Sequence, residues 1–155
     1  MEGPWLDQLA RENSICDIIM KTDEKQTMEV VEHLLHAITD VGLHHSQAGT
    51  WSVSTDSGIK DLMDQAVANK TYDVSSYKAM PDGIRRRVEI QEYAYWLITT
   101  GWDIQTAYGP EVSSEWPVNT REGLASSHPD AMVFFDQAVT KVLTPPTAEV
   151  LSSFQ

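Results

Sequence analysis

The chain has 155 residues, 41% of them hydrophobic, with a formal net charge of -12 and a mean hydropathy of -0.31. That length suits one domain spanning 1–155 with a core of its own. The 11 Lys and Arg against 23 Asp and Glu disfavour nucleic acid and anionic membrane as partners, because phosphate binding runs on basic side chains that release counterions. No apolar run approaches the ~18 residues a bilayer span requires.

In chain order, the opening "MEGPWLDQLARENS" has acids at Glu2 and Asp7 and no apolar h-region. It does not read as a standard signal peptide and points to the cytoplasm. Residues 4–12 suit a short helix opened by Pro4. "ICDIIM" (15–20) suits a short strand or an apolar helix end, and periodicity does not choose between them. It contains Cys16, whose apolar neighbours mark it as a core residue. Cys16 is the only cysteine, so an internal disulfide is excluded.

Thr27 is placed to cap a helix running from Met28 to Val41 and stopped by Gly42. "WSVST" (51–55) alternates and predicts a short strand. A second helix is expected over 58–70, capped by Asp56 or Ser57, with Ile59, Leu62, Met63 and Ala66 on one face. A loop with a Pro-Asp-Gly turn leads to a third helix, Ile84 to Thr100, ended by Gly101. Residues 102–127 form a long Trp-bearing stretch, a length that signals function or an unrecognised element. A fourth helix starts with Pro129 at its first position, after an N-cap at His128, and runs to Leu143. Residues 144–155 form a tail. The expected class is α+β, mainly helical, with four or more helices and a small sheet.

The chemistry concentrates in "EVVEHLLHAITDVGLHH", Glu29 to His45, which contains four of the five histidines. On a helical wheel, Met28, Val30, Val31, Leu34, Leu35, Ala37, Ile38 and Val41 cover more than half the circumference, so the helix should be buried on most sides. Glu29, Glu32, His33, His36 and Asp40 share the remaining stripe. Glu32 and His36 are four residues apart, and His33 and His36 three, so each pair can reach one ion. Imidazole and carboxylate are the usual nitrogen and oxygen ligands of zinc and iron. A further ligand is expected from the third helix at Glu92, flanked by Val88, Tyr95 and Trp96, with Glu89 one turn earlier and more exposed. Arg85, Arg86 and Arg87 read as solvated helix surface, although any of them could neutralise Glu89 or Glu92. His44 and His45 read as polar loop surface that could approach the same ion. Trp51, Trp102, Tyr108 and Trp116 could wall a cleft, with at least two of them expected in the core.

"VVEHLLHAITDVG", followed some fifty residues later by "EYAYWL", resembles zincin metallopeptidases of the gluzincin type. That family has a His-Glu-x-x-His helix and a Glu on a second helix. Here the dipeptide is inverted to Glu32-His33. By position, Glu32 takes the first-ligand place, His33 the water-activating place, His36 the second-ligand place and Glu92 the distal-ligand place. The alternative assignment binds the ion at His33, His36 and Glu92, with Glu29 or Glu32 as base. The resemblance implies zinc, a zincin-like α+β core and hydrolysis of peptides through a polarised water.

Two functions follow. One is a metal-dependent hydrolase with Glu32 and His33 as its catalytic groups and Glu32, His33, His36 and Glu92 as metal residues. The other is a non-catalytic peptide- or protein-binding or structural domain on such a scaffold. A four-helix iron site, with His33 and His36 facing Glu89 and Glu92, ranks last, because such sites use Glu-x-x-His pairs and the chain has none.

Overall fold

The computed structural model describes residues 26–110 and 113–154. In chain order these form α1 (Gln26–His36), a π-helical stretch (Ala37–Leu43), α2 (His44–Ser46), α3 (Ala48–Trp51), α4 (Gly58–Ala68), a 3-10 turn (Ser75–Tyr77), α5 (Asp82–Gly101), α6 (Gln105–Tyr108), α7 (Arg121–Ser127), α8 (Pro129–Phe134) running into a second π stretch (Phe135–Val139), and α9 (Ala148–Ser152). The proposed helix over 4–12 and the strand or helix end over 15–20, with Cys16, lie outside the described residues.

The expected α+β class is overturned, since there is no strand or sheet among the described residues. "WSVST" fails as a strand for a local reason. Ser52 Oγ accepts from Ser54 N (3.2 Å), Thr55 N (2.9 Å) and Thr55 Oγ1 (2.7 Å). Ser57 Oγ then donates to the Ser52 carbonyl at 2.7 Å. Short hydroxyl side chains that bond nearby backbone compete with extended structure, and here they coil the segment into the cap of α4. Ser57 is that cap, accepting from Lys60 N at 3.3 Å.

Helix α5 is the axis of the molecule, packed by α1, α4, α7 and the second π stretch. Its Ile90, Tyr93, Ala94, Leu97 and Ile98 are buried and meet Ile59, Met63, Leu124, Phe135 and Val139 in one hydrophobic cluster. Gly101, expected to stop this helix, is its last helical residue. A Cβ at that position would collide with the Phe135 ring, so the glycine serves close helix approach. The left-handed conformation that ends the segment falls instead on Asp103, φ 62°. Gly42 does not stop the first helix either. The backbone carries on through the wider π turn to Ser46, and Thr39 Oγ1 donates back to the Leu35 carbonyl at 2.8 Å. Helix α1 buries Met28, Val31 and Leu35 and leaves Leu34 and Ile38 exposed, so its covered face is narrower than the wheel implied.

The long stretch 102–127 contains α6 and α7. The last residues are also more than a tail. Thr147 caps α9, accepting from Val150 N at 3.3 Å. Leu151 is 2% exposed within the core. Thr27, expected to be an N-cap, sits inside α1 and donates its hydroxyl to the Leu151 carbonyl at 3.1 Å. Replacing a buried leucine by alanine costs about 2–5 kcal/mol. Leu151→Ala is therefore expected to lower unfolding free energy in urea by about 3 kcal/mol. A loss under about 1 kcal/mol would show that α9 is not docked.

Candidate metal centre

Helices α1 and α5 pack side by side, and the acidic stripe of α1 faces α5. One ligand atom each from Glu32, His36 and Glu92 all lie within 4.8 Å of one another. The closest pair is His36 Nε2 and Glu92 Oε1, at 3.5 Å, with side chains 13% and 18% exposed. Two ligands each roughly 2.1 Å from one ion are at most about 4.2 Å apart. Closing this triad around an ion therefore needs rotamer adjustments well under the width of a helix turn. The Tyr95 ring lies edge-on to His36, 6.3 Å between centroids, and limits how far the imidazole can swing.

Electrostatics set these carboxylates apart. Burial pushes Glu32 up to about 7, with the charges of Glu29 and Glu115 adding to it and His33 opposing it. Burial pushes Glu92 up to about 8, with Glu32, Glu115 and Glu29 adding in that order. Other covered acids nearby have a guanidinium. Asp40, 4% exposed, accepts from Arg87 Nε at 3.0 Å and from Nη2 at 2.5 Å. Glu89, 6% exposed, has Arg85 at 3.6 Å and Arg86 at 3.4 Å. Asp64 has Arg86 and Lys60. Among the described residues no Lys or Arg ion pair is found at Glu32 or Glu92. An anionic pair in low dielectric is costly unless a proton or a cation joins it. Arg85, Arg86 and Arg87 are therefore half-buried clasps rather than solvated surface, and Glu89 is buried rather than exposed.

His33, expected in the same ion site, is not in the triad. Its Nε2 lies 3.9 Å from Glu29 Oε2 on the outer flank of α1. His44 is committed elsewhere, its Nδ1 accepting from Val53 N at 3.1 Å, and His45 stacks edge-on against it. Burial, with the His45 charge, lowers the His44 imidazole. His128 holds the N-cap position of α8 but makes no side-chain capping bond. Its Nδ1 is 2.8 Å from Ser127 Oγ and its ring stacks on Trp116. Trp51 and Trp116 are core residues, and Trp102 and Tyr108 pack against the core. The aromatic cleft reduces to a cavity of about 100 Å³ bordered by Trp96, Gln105, Trp116 and Val118, below the size of ordinary ligand pockets.

Glu115 was not anticipated. The loop after α6 brings it over α5, where its Oε1 accepts from Tyr77 Oη at 2.6 Å and from Trp96 Nε1 at 3.1 Å. No periodic signal marks a single acid in a loop. The only hint was the excess of tryptophan and tyrosine around it, since both carry donors that seek an acceptor when covered.

Comparison with known proteins found no matching family model, no matching curated protein and no matching solved structure.

Proposed function

We propose that this chain binds a divalent transition-metal ion of the zinc class through Glu32, His36 and Glu92, and that the ion activates water for hydrolysis. The observation that carries the reading is the convergence of two buried, mutually repelling carboxylates and an imidazole, within 4.8 Å of one another, from two adjacent helices. Three protein ligands leave a coordination position for water, the arrangement of hydrolytic rather than closed structural zinc sites. A bound ion lowers the water's pKa toward neutrality and polarises a substrate carbonyl. Glu29 and His33, beside the triad on the same helix, are the nearby groups that can take the water's proton. Peptides are the substrate class that the Glu32-His33-x-x-His36 spacing suggests. The helical architecture gives no sheet edge for an extended peptide to pair with among the described residues, so the reading rests on the ion and its ligands alone.

A second reading treats the ion as a clasp without turnover. It is favoured by the low exposure of His36 and Glu92, 13% and 18%, and by their position on two different helices that the ion would tie together.

The test is direct. Freshly purified protein should carry metal by elemental analysis. Chelator-stripped protein should bind Zn2+ with micromolar or tighter affinity by calorimetry. His36→Ala and Glu92→Gln should each weaken that binding at least about 100-fold, roughly 2.7 kcal/mol. Metal-dependent cleavage of a broad peptide library supports the hydrolase, and a tightly held ion without turnover supports the clasp. Stripped protein that ignores Zn2+ ends both.

A further inference from the structure

Helix α1 carries the Glu-x-x-x-His spacing twice. Glu32 and His36 form one pair, and Glu29 and His33 form the same pair three residues earlier. The triad uses only the later one. In the earlier pair, Glu29 Oε2 and His33 Nε2 are 3.9 Å apart, within the span of two ligands on one ion. The two imidazoles are 6.2 Å apart between centroids and inclined at 70°. They are thus too separate to crowd one ion, yet close enough to serve two ions at the roughly 3.5–4 Å of a co-catalytic pair. Glu32 lies between the pairs, three residues after Glu29 and four before His36. A carboxylate so placed can turn one oxygen to each ion. Charge argues the same way. The negative charges of Glu29, Glu32 and Glu115 all act on Glu92, so four carboxylates share this region, and a single divalent ion neutralises only half of them.

We infer that the centre is dinuclear, with a second divalent ion held by Glu29 and His33 and bridged to the first through Glu32. This rests on the Glu32–His36–Glu92 reading and extends it to a class of chemistry. Two ions bind both the attacking and the departing oxygen of an ester, amide or phosphoester substrate. The second ion is the weaker one, because His33 and Glu29 are 35% and 47% exposed, and it exchanges readily with solvent.

The experiment counts ions. The full chain is stripped with chelator and titrated with Zn2+, and bound metal is measured by elemental analysis at a series of free concentrations. Mn2+ loading is followed in parallel by electron paramagnetic resonance. Wild-type protein should take two equivalents, the second about tenfold weaker or more, with an exchange-coupled signal for the Mn2+ form. His33→Ala and Glu29→Gln should each leave one equivalent, bound as tightly as the first ion in wild type, and should abolish the coupling. His45→Ala should still take two. A single equivalent in wild type overturns the inference and leaves the first site standing. So does a second equivalent that survives both substitutions and leaves with His45. No bound metal in any form removes the first site as well.

Discussion

Metal-free protein should lose stability as the pH is raised from about 5 to 9, and metal-loaded protein should gain it. Glu32 and Glu92 sit near 7 and 8 in the folded state against an ordinary 4.5. Folding therefore retains protons that the unfolded chain releases. Stability associated with these groups is complete below about 4.5 and is lost as pH climbs through their folded values. At 1.36 kcal/mol per pKa unit, the two together should cost on the order of 3 kcal/mol or more by pH 9. A bound ion reverses the slope, since it requires both carboxylates ionised and competes with protons for them. His44 and His128 lean the other way. Burial lowers both imidazoles, so their contribution grows as pH rises to about 6.5 and then levels. The clean measurement is therefore the difference between wild type and Glu32→Gln/Glu92→Gln, by urea denaturation at several pH values. The double variant should be flatter, and more stable than metal-free wild type at alkaline pH. Identical profiles for the two proteins would mean that the carboxylates are ordinary surface acids and would leave the metal proposal without its electrostatic motive.

The second large effect belongs to Asp40. Its carboxylate, 4% exposed, accepts two bonds from Arg87 across the interface between the first π stretch and α5. Removing one partner of a covered ion pair typically costs 3–5 kcal/mol. Arg87 is 35% exposed and can rehydrate in part, which puts Asp40→Ala at the lower end, about 3 kcal/mol. Arg87→Met should cost no less, because it strands the more deeply covered carboxylate. A double-mutant cycle should return a coupling of about 1.5 kcal/mol or more. Coupling indistinguishable from zero would reduce the contact to a coincidence of neighbouring side chains. Either variant should also loosen Zn2+ binding, since Asp40 and His36, like Arg87 and Glu92, are borne by the same two helices.

What the sequence made legible was the part governed by local spacing. The apolar repeats of 58–70 and 84–100 became α4 and α5 nearly to their ends, and Pro129 opened α8. The pairing of Glu32, His36 and Glu92 followed from one-turn spacing on α1 and from the aromatic surroundings of Glu92 on α5. The parts that went unread depend on tertiary context. "WSVST" alternates like a strand, but no neighbouring strand exists among the described residues, and Ser52 satisfies its backbone locally. Gly101 looked like a terminator, whereas its bareness answers to a phenylalanine thirty-four positions away. The three arginines looked solvated because their acids, at positions 40, 64 and 89, come from three different helical segments. His33 shares the wheel sector of His36, and only the placement of α5 decides which imidazole turns inward.

The π stretch has a consequence for chain length in this region. A π turn accommodates about one residue more than an α turn, so Ala37–Leu43 amounts to a stored insertion just downstream of the metal-facing pair. Deleting one residue there would let the backbone relax into a regular coil and rotate everything beyond it by roughly 100°. Glu32 and His36 would keep their outlook, while the Asp40 clasp and the Leu43 anchor would swing out of register. The ion-facing pair and the core anchor are thus governed by separate phases of one continuous helix, and this short overwide coil is what reconciles them.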